Sequence, residues 1–309
     1  MKPGALGPCG VILIAAAVTV VGVASPAACV SSTRGPMSSA RPSARPETAP
    51  ETAEAQAWAA RLAQRVFVRP VFLVASDAQP PSEETVNALL RHLEWAQRRY
   101  RELLFDRDTF ELSPGGPLVL HGQRTAVEYA NAADGGAEAA ALELFAHDGV
   151  DRFSCPYIYV VLFVGTGGHP KGGGRPLNGG VNTGGGIVIL AADNLVLDAG
   201  FQSTLQHEIG HGLGLVHADE NGLDMRTSDS LMSYNPAHHT NGFEPSPTPG
   251  MLAPEDLRLL ALNRRALPDF HLDPQRDFPP GYALSPRIVV LPPMPIPGQP
   301  DYDGPWNGR

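Results

Sequence analysis

The stretch that decides the reading of this chain is His207-Glu208-Ile209-Gly210-His211-Gly212-Leu213-Gly214-Leu215-Val216-His217. On a helix of about 3.6 residues per turn, His207 and His211 stand on one face, one turn apart, and can share a cation. A zinc ion that does chemistry takes three protein ligands and keeps a position for water, so His217 is the candidate third ligand once the helix stops before it. Gly214 supplies that stop, because glycine tolerates the left-handed conformation that commonly ends a helix. Glu208, offset by about 100° from His207, points beside the ligand face and is the expected general base. The competing reading is an amphipathic helix whose histidines are ordinary surface or core residues. It must absorb a chance match of five fixed letters, on the order of 1 in 10,000 for a chain of this length.

Downstream, Ser230-Leu231-Met232-Ser233-Tyr234 sets a methionine among small and polar residues. The extended HExxHxxGxxH followed by this segment resembles the signature of the metzincin clan of zinc metallopeptidases, in which a Met-turn lies beneath the metal. The resemblance implies that His207, His211 and His217 hold one catalytic Zn2+ and that Met232 supports the site without ligating it. It implies an α+β fold: a twisted mixed sheet with a long backing helix and an active-site helix, then a small, mostly irregular C-terminal subdomain with a C-terminal helix. Tyr234 resembles the tyrosine that astacins and serralysins carry after the methionine, where it assists the oxyanion; a core tyrosine with a satisfied hydroxyl is the alternative. Ala218-Asp219-Glu220 after His217 departs from the pattern of astacins, reprolysins and matrix metallopeptidases, so no subfamily fits throughout.

The activity implied is a secreted or surface-tethered zinc endopeptidase, in which Glu208 takes a proton from a zinc-bound water and returns one to the leaving amine. Two rivals remain: a surface zinc-binding or adhesion module without turnover, and a zinc amidase acting on cell-wall peptides. Glu208 argues against the first, since a module that only binds has no use for the base. No Pro-Arg-Cys-Gly latency motif stands upstream.

The chain has 309 residues, with 33 Gly, 31 Pro and a formal net charge of −9, which suits one domain with tails or at most two. The acidic balance and the lack of a basic stripe argue against nucleic acid; a protein or peptide substrate and a monomer are expected. Residues 1–29 read as an export signal, with Lys2, an apolar run from Val11 to Val23 and small residues from Ala24 to Ala28. Cys29 follows Pro26-Ala27-Ala28, which resembles a bacterial lipobox, so Cys29 is a lipidation candidate at the cell envelope. Ordinary cleavage, giving a soluble secreted protein, and an uncleaved anchor are the alternatives. With Cys9 in the signal and Cys29 at its edge, Cys155 has no disulfide partner and reads as a buried small hydrophobe.

Residues 30–57, rich in Ser, Pro and Ala, read as a disordered tether, the catalytic domain as 58–270 with its N-terminal subdomain ending near 214, and 271–309 as a Pro-rich extended tail. Within the domain, Val66–Ser76 predicts a strand that Pro70 confines to an edge or a bulge. Ser82 predicts an N-cap for a helix to about Leu104, with Val86, Leu89, Leu90, Leu93, Ala96, Tyr100 and Leu103 as its buried stripe. Strands are expected at Thr109–Leu112, Pro117–His121 and, centrally, Tyr157–Val164. Gly165–Gly186 lacks a phosphate-loop pattern and reads as a loop on the cleft rim, or a cation-binding loop of carbonyls that gives Ca2+ its one opening. Lys171, Asn178 and Asn182 belong to it. Ile187–Leu190 predicts a strand, either at the cleft edge where an extended substrate could pair or in the interior. Asp219, Glu220, Asp224 and Asp229 do not match a calcium-loop spacing, and His238 and His239 read as solvent residues. Pro254, Glu255 and Asp256 open a helix to about Arg265, and the chain from Pro268 reads as extended.

Overall fold

The structure, a computed structural model, describes residues 53–282 apart from 133–135, 167–172, 178–184, 193–194, 196–198, 236–249 and 279. The export segment, Cys29, the tether up to residue 52, Lys171, Asn178, Asn182, His238, His239 and the tail after Tyr282 lie outside the described residues. Among the described residues no helix is long and apolar enough to cross a membrane.

The strands are β1 (Phe67–Val74), β2 (Glu111–Leu112), β3 (Leu118–His121), β4 (Tyr157–Val164), β5 (Gly173–Pro176) and β6 (Gly186–Ala191). The helices are α1 (Ala53–Gln64), α2 (Glu83–Leu103), α3 (Ala126–Ala130), α4 (Ala137–Asp148), α5 (Ala199–Gly212), α6 (Pro254–Leu262) and α7 (Pro274–Asp277). They build a mixed α+β fold around one sheet of order β2-β1-β4-β6-β5, with β3 also on β1; every pairing is parallel except that of β5 with β6.

The alternation of side chains along the central strands divides the core in two. Val68, Phe72, Ile158, Val160, Val188 and Leu190 face α2, α5 and α6, where they meet Leu89, Leu93, Leu205, Ile209 and Leu260. Phe67, Val71, Leu73, Val161, Phe163, Ile187 and Ile189 face the other way, toward Tyr129, Ala140 and Leu144 of α3 and α4. Both faces of the sheet are therefore covered, which explains why β4 is apolar throughout. The sequence reading foresaw one backing helix; the second layer of α1, α3 and α4 was not expected.

The backing helix α2 has Ser82 as its N-cap, accepting from Thr85 N, and buries Leu89, Leu93, Ala96, Tyr100 and Leu103 with His92 in addition. Val86 and Leu90 are only partly buried. Pro70 lies in an interior strand, not at an edge or bulge. The backbone of Val68 and Val74 accepts from the β2 and β3 side, through Ser113 N and Gly122 N, so Pro70, two residues on from Val68, faces the same way. There it falls between the end of β2 pairing at Val68 and the start of β3 pairing at Val71, where its missing N–H breaks no ladder bond.

Other boundaries also differ from the sequence reading. Residues Gly173–Pro176 of the glycine-dense segment form β5, the edge strand, and β6 is interior between β4 and β5. Ordered helix begins at Ala53, ahead of Trp58, whose ring packs on Phe67 at 4.6 Å. Helix α6 ends at Leu262 rather than near Arg265. Past Pro268 the chain stays on the body: Phe270 and Phe278 are buried and Asp277 pairs with Arg107 at 2.8 Å, because apolar side chains between the prolines still find the core.

Candidate active site

Helix α5 carries His207, Glu208 and His211 and packs on the sheet so closely that Gly212 of the helix and Gly174 of β5 have no room for a side chain. A Cβ on Gly212 would meet Ile158 Cγ2 at 2.9 Å, and one on Gly174 of β5 would meet the Glu208 carbonyl oxygen at 2.3 Å. From the backing helix, the Tyr100 hydroxyl donates to Gln206 O at 2.9 Å and anchors α5.

The helix ends as its glycine requires. Gly214 has φ +100°, Gly214 N donates to His211 O, and Leu215 N reaches back to Gly210 O at 2.9 Å. These two bonds form a Schellman motif, which satisfies the last carbonyls and turns the chain toward His217. Ala218 N then donates to Met232 O at 3.0 Å, tying the third histidine's segment to the methionine turn.

One donor nitrogen from each of His207, His211 and His217 falls in a group whose members all lie within 4.8 Å of one another. His207 Nδ1 bonds Leu231 O at 2.9 Å and His211 Nδ1 bonds Leu215 O at 2.8 Å. A carbonyl only accepts, so each Nδ1 carries a proton and Nε2 is the atom left to ligate, the arrangement typical of a histidine that holds a metal. His211 Nε2 and His217 Nε2 stand 3.1 Å apart. Two nitrogens bound about 2.05 Å from a tetrahedral zinc would be separated by about 3.3 Å, so the residues fit such an ion. Burial, reinforced by the neighbouring His217, lowers the His211 pKa to about 3, and burial also lowers that of His217, which keeps both rings neutral as ligands must be.

Glu208 is partly exposed as a residue, but its Oε2 is shielded from solvent and has no hydrogen-bond partner among the described residues. Burial pushes its carboxyl up to about 7, against the opposing pull of a hydrogen bond from the Gly174 backbone. A carboxyl near neutrality that has one open oxygen can take up and return a proton. Tyr234 is exposed, stacks on His207 with ring centroids 5.4 Å apart, and places its hydroxyl 3.0 Å from His217 Nε2. Met232 is fully buried, and its Sδ stands where a side chain on Gly210 would go, at 2.7 Å from the position of a Cβ there.

The structure thus brings together His207, Glu208, His211, His217, Met232 and Tyr234, with Gly214 at the turn. Sequence reasoning passed over four positions. Gly210 and Gly174 give space by having no side chain. Arg175, buried on β5 beside the site, adds positive charge felt by His211 and His217 and itself feels the negative charge of Glu220. Asp256, fully buried, holds the methionine turn. The one signal available was glycine density, in the motif for Gly210 and in Gly165–Gly186 for Gly174; nothing local ties Arg175 or Asp256 to the site. Asp219, Glu220, Asp224 and Asp229 do not form a metal-holding group among the described residues.

No family model matches the sequence, and no curated protein matches it. Among solved structures, the chain is similar to wild-type OgpA from Akkermansia muciniphila, at 20% identity and a TM-score of 0.42, over 71% of this chain and 66% of that one. It is similar also to catalytically inactive OgpA from the same organism in complex with an O-glycopeptide (glycodrosocin) substrate, at 19% identity and a TM-score of 0.43, over 71% and 65%. The chain therefore spans just under two thirds of the length of either.

Proposed function

We propose that this protein is a zinc-dependent endopeptidase, exported and acting outside the cytoplasm on protein or peptide substrates. The observation that carries the reading is the convergence of three imidazoles, two of them oriented by backbone carbonyls, beside a carboxyl whose proton affinity sits near neutral pH. Zinc bound there would supply acidification of a water and polarisation of the scissile carbonyl.

The chain's own residues account for the rest. Glu208, set beside the imidazoles with an open oxygen, takes the proton from the attacking water and delivers one to the departing amine. Tyr234, its hydroxyl on the open side of the site, donates to the oxygen that gains charge; burial and the nearby Glu208 raise its pKa and keep it protonated. Strand β5 is the antiparallel edge of the sheet among the described residues and lies next to α5, so an extended peptide could pair with it and lay a backbone carbonyl before Glu208. This role belongs to β5, since β6 has partners on both sides.

Export rests on the apolar run Val11–Val23, and attachment through Cys29 on the small residues before it. The test of the function is a broad quenched-peptide library offered to zinc-loaded wild type and Glu208→Gln. Loss of about 10²- to 10⁴-fold in kcat with zinc content retained is expected; equal cleavage by both, or no cleavage by wild type, overturns the reading.

A further inference from the structure

We propose that helix α6, which touches none of the reacting groups, is the clamp that positions two of the three site histidines, through Asp256 in its first turn and Asn263 at its C-terminal cap. The inference rests on the metal-centre reading for its consequence, though not for its geometry.

Asp256 and Asn263 are seven residues apart, two turns, and so lie on one side of the helix. Both are buried, Asp256 at 0% and Asn263 at 2% exposure. A buried carboxyl is costly unless its oxygens are occupied, and three donors converge on this one. Ala253 N reaches Oδ2 at 2.9 Å, Asn221 Nδ2 reaches Oδ1 at 3.1 Å and Ser230 Oγ reaches Oδ2 at 3.3 Å.

Ser230 passes the constraint on. With its only proton given to Asp256, its Oγ accepts from Met232 N at 3.0 Å. The amide of Met232 and the carbonyl of Leu231 belong to one planar peptide unit and point in opposite directions. Holding Met232 N–H toward Ser230 therefore aims the Leu231 carbonyl the other way, at His207 Nδ1, 2.9 Å off. Leu231 N is also held by Met251 O, just ahead of α6, at 2.6 Å.

The other end of α6 works on His211. Asn263 Nδ2 donates to Leu213 O at 2.9 Å while its Oδ1 accepts from Ala266 N at 3.1 Å. The Leu213 carbonyl shares its peptide unit with Gly214 N, so the bond fixes the entry to the left-handed turn that carries Leu215 O to His211 Nδ1. One helix thus fixes the carbonyl partners of both imidazoles, their tautomers and the direction of their Nε2 atoms.

The test reads the imidazole Nδ1–H proton resonances of metal-free protein and, separately, zinc affinity by chelator competition. Ser230→Ala should lose the protected His207 resonance and keep that of His211; Asn263→Asp should do the reverse. Each should weaken zinc binding about 10- to 100-fold. Ser230→Thr, which keeps the hydroxyl, should restore both readouts. Leu260→Ala, a core truncation on the same helix, should lower the melting temperature with both resonances intact. Unchanged resonances in folded Ser230→Ala and Asn263→Asp overturn the clamp, as does their equal loss in Leu260→Ala. A wild type that shows both resonances but takes up no zinc would defeat the metal-centre reading alone, and the variant resonances would still decide the clamp.

Discussion

A Cβ added to Gly210 would stand 2.7 Å from Sδ of Met232, so the helix that carries His207 and His211 rests on the methionine turn with no space between them. The motif's inner glycine and the distant methionine are one packing contact. Gly210→Ala should therefore destabilise the fold by about 1–3 kcal/mol, despite alanine's better helix propensity, because the added methyl overpacks the contact. Pairing it with Met232→Ala removes the clash, so the double variant should lose less stability than the sum of the two single variants. Denaturant unfolding of the four proteins checks this; strict additivity would show that the contact is not felt.

Tyr234 stacks on His207 and reaches His217 through its hydroxyl while almost half of it is exposed, at 46%. Its removal should cost activity rather than structure. Tyr234→Phe should lower kcat about 100-fold with little change in KM or melting temperature. Unchanged turnover in a folded variant would assign Tyr234 a packing role only.

Asp256 has its carboxyl pushed up to about 7, with burial the largest cause. Its proton is bound more tightly in the folded chain than in the unfolded one, so its contribution to stability is complete below about pH 4 and is lost as pH rises through 7. Three pH units correspond to about 4 kcal/mol. Urea unfolding of metal-free protein should show wild type losing more stability than Asp256→Asn between pH 4 and pH 8. Parallel pH profiles for the two proteins would contradict this assignment of the titration.

Zinc should stabilise the fold by mass action, by about 4 kcal/mol when free ion exceeds its dissociation constant a thousandfold. For a body of this size that corresponds to a rise of about 10 °C in melting temperature. Chelation should remove the increment together with peptidase activity, and zinc should restore both. His211→Ala should melt at the same temperature with and without the ion.

The candidate site was legible largely because its residues are local. His207, Glu208 and His211 share one helical turn, and Gly214 can end that turn only by taking φ +100°. The backing helix was legible for a similar reason: Ser82 and the stripe from Leu89 to Leu103 act within one element. The edge strand was harder to find, since β5 is Gly-Gly-Arg-Pro, without the β-branched pattern that announces a strand. It is a strand because β6 pairs with it and because α5 approaches so closely that only glycine fits at Gly174.

Sequence by itself therefore determined the three histidines and the glutamate of the candidate site, the glycine that turns the chain and the unbroken apolar run that makes β4 central, all of which follow from local spacing and composition. Tertiary structure alone decided which strand is the edge, why Pro70 is tolerated inside the sheet, and that Asp256 and Asn263 hold the turns on which His207 and His211 lean. Those contacts join residues 26 and 50 positions apart in sequence. Partners at such separations leave no periodic trace in the chain and exist only once the elements have packed.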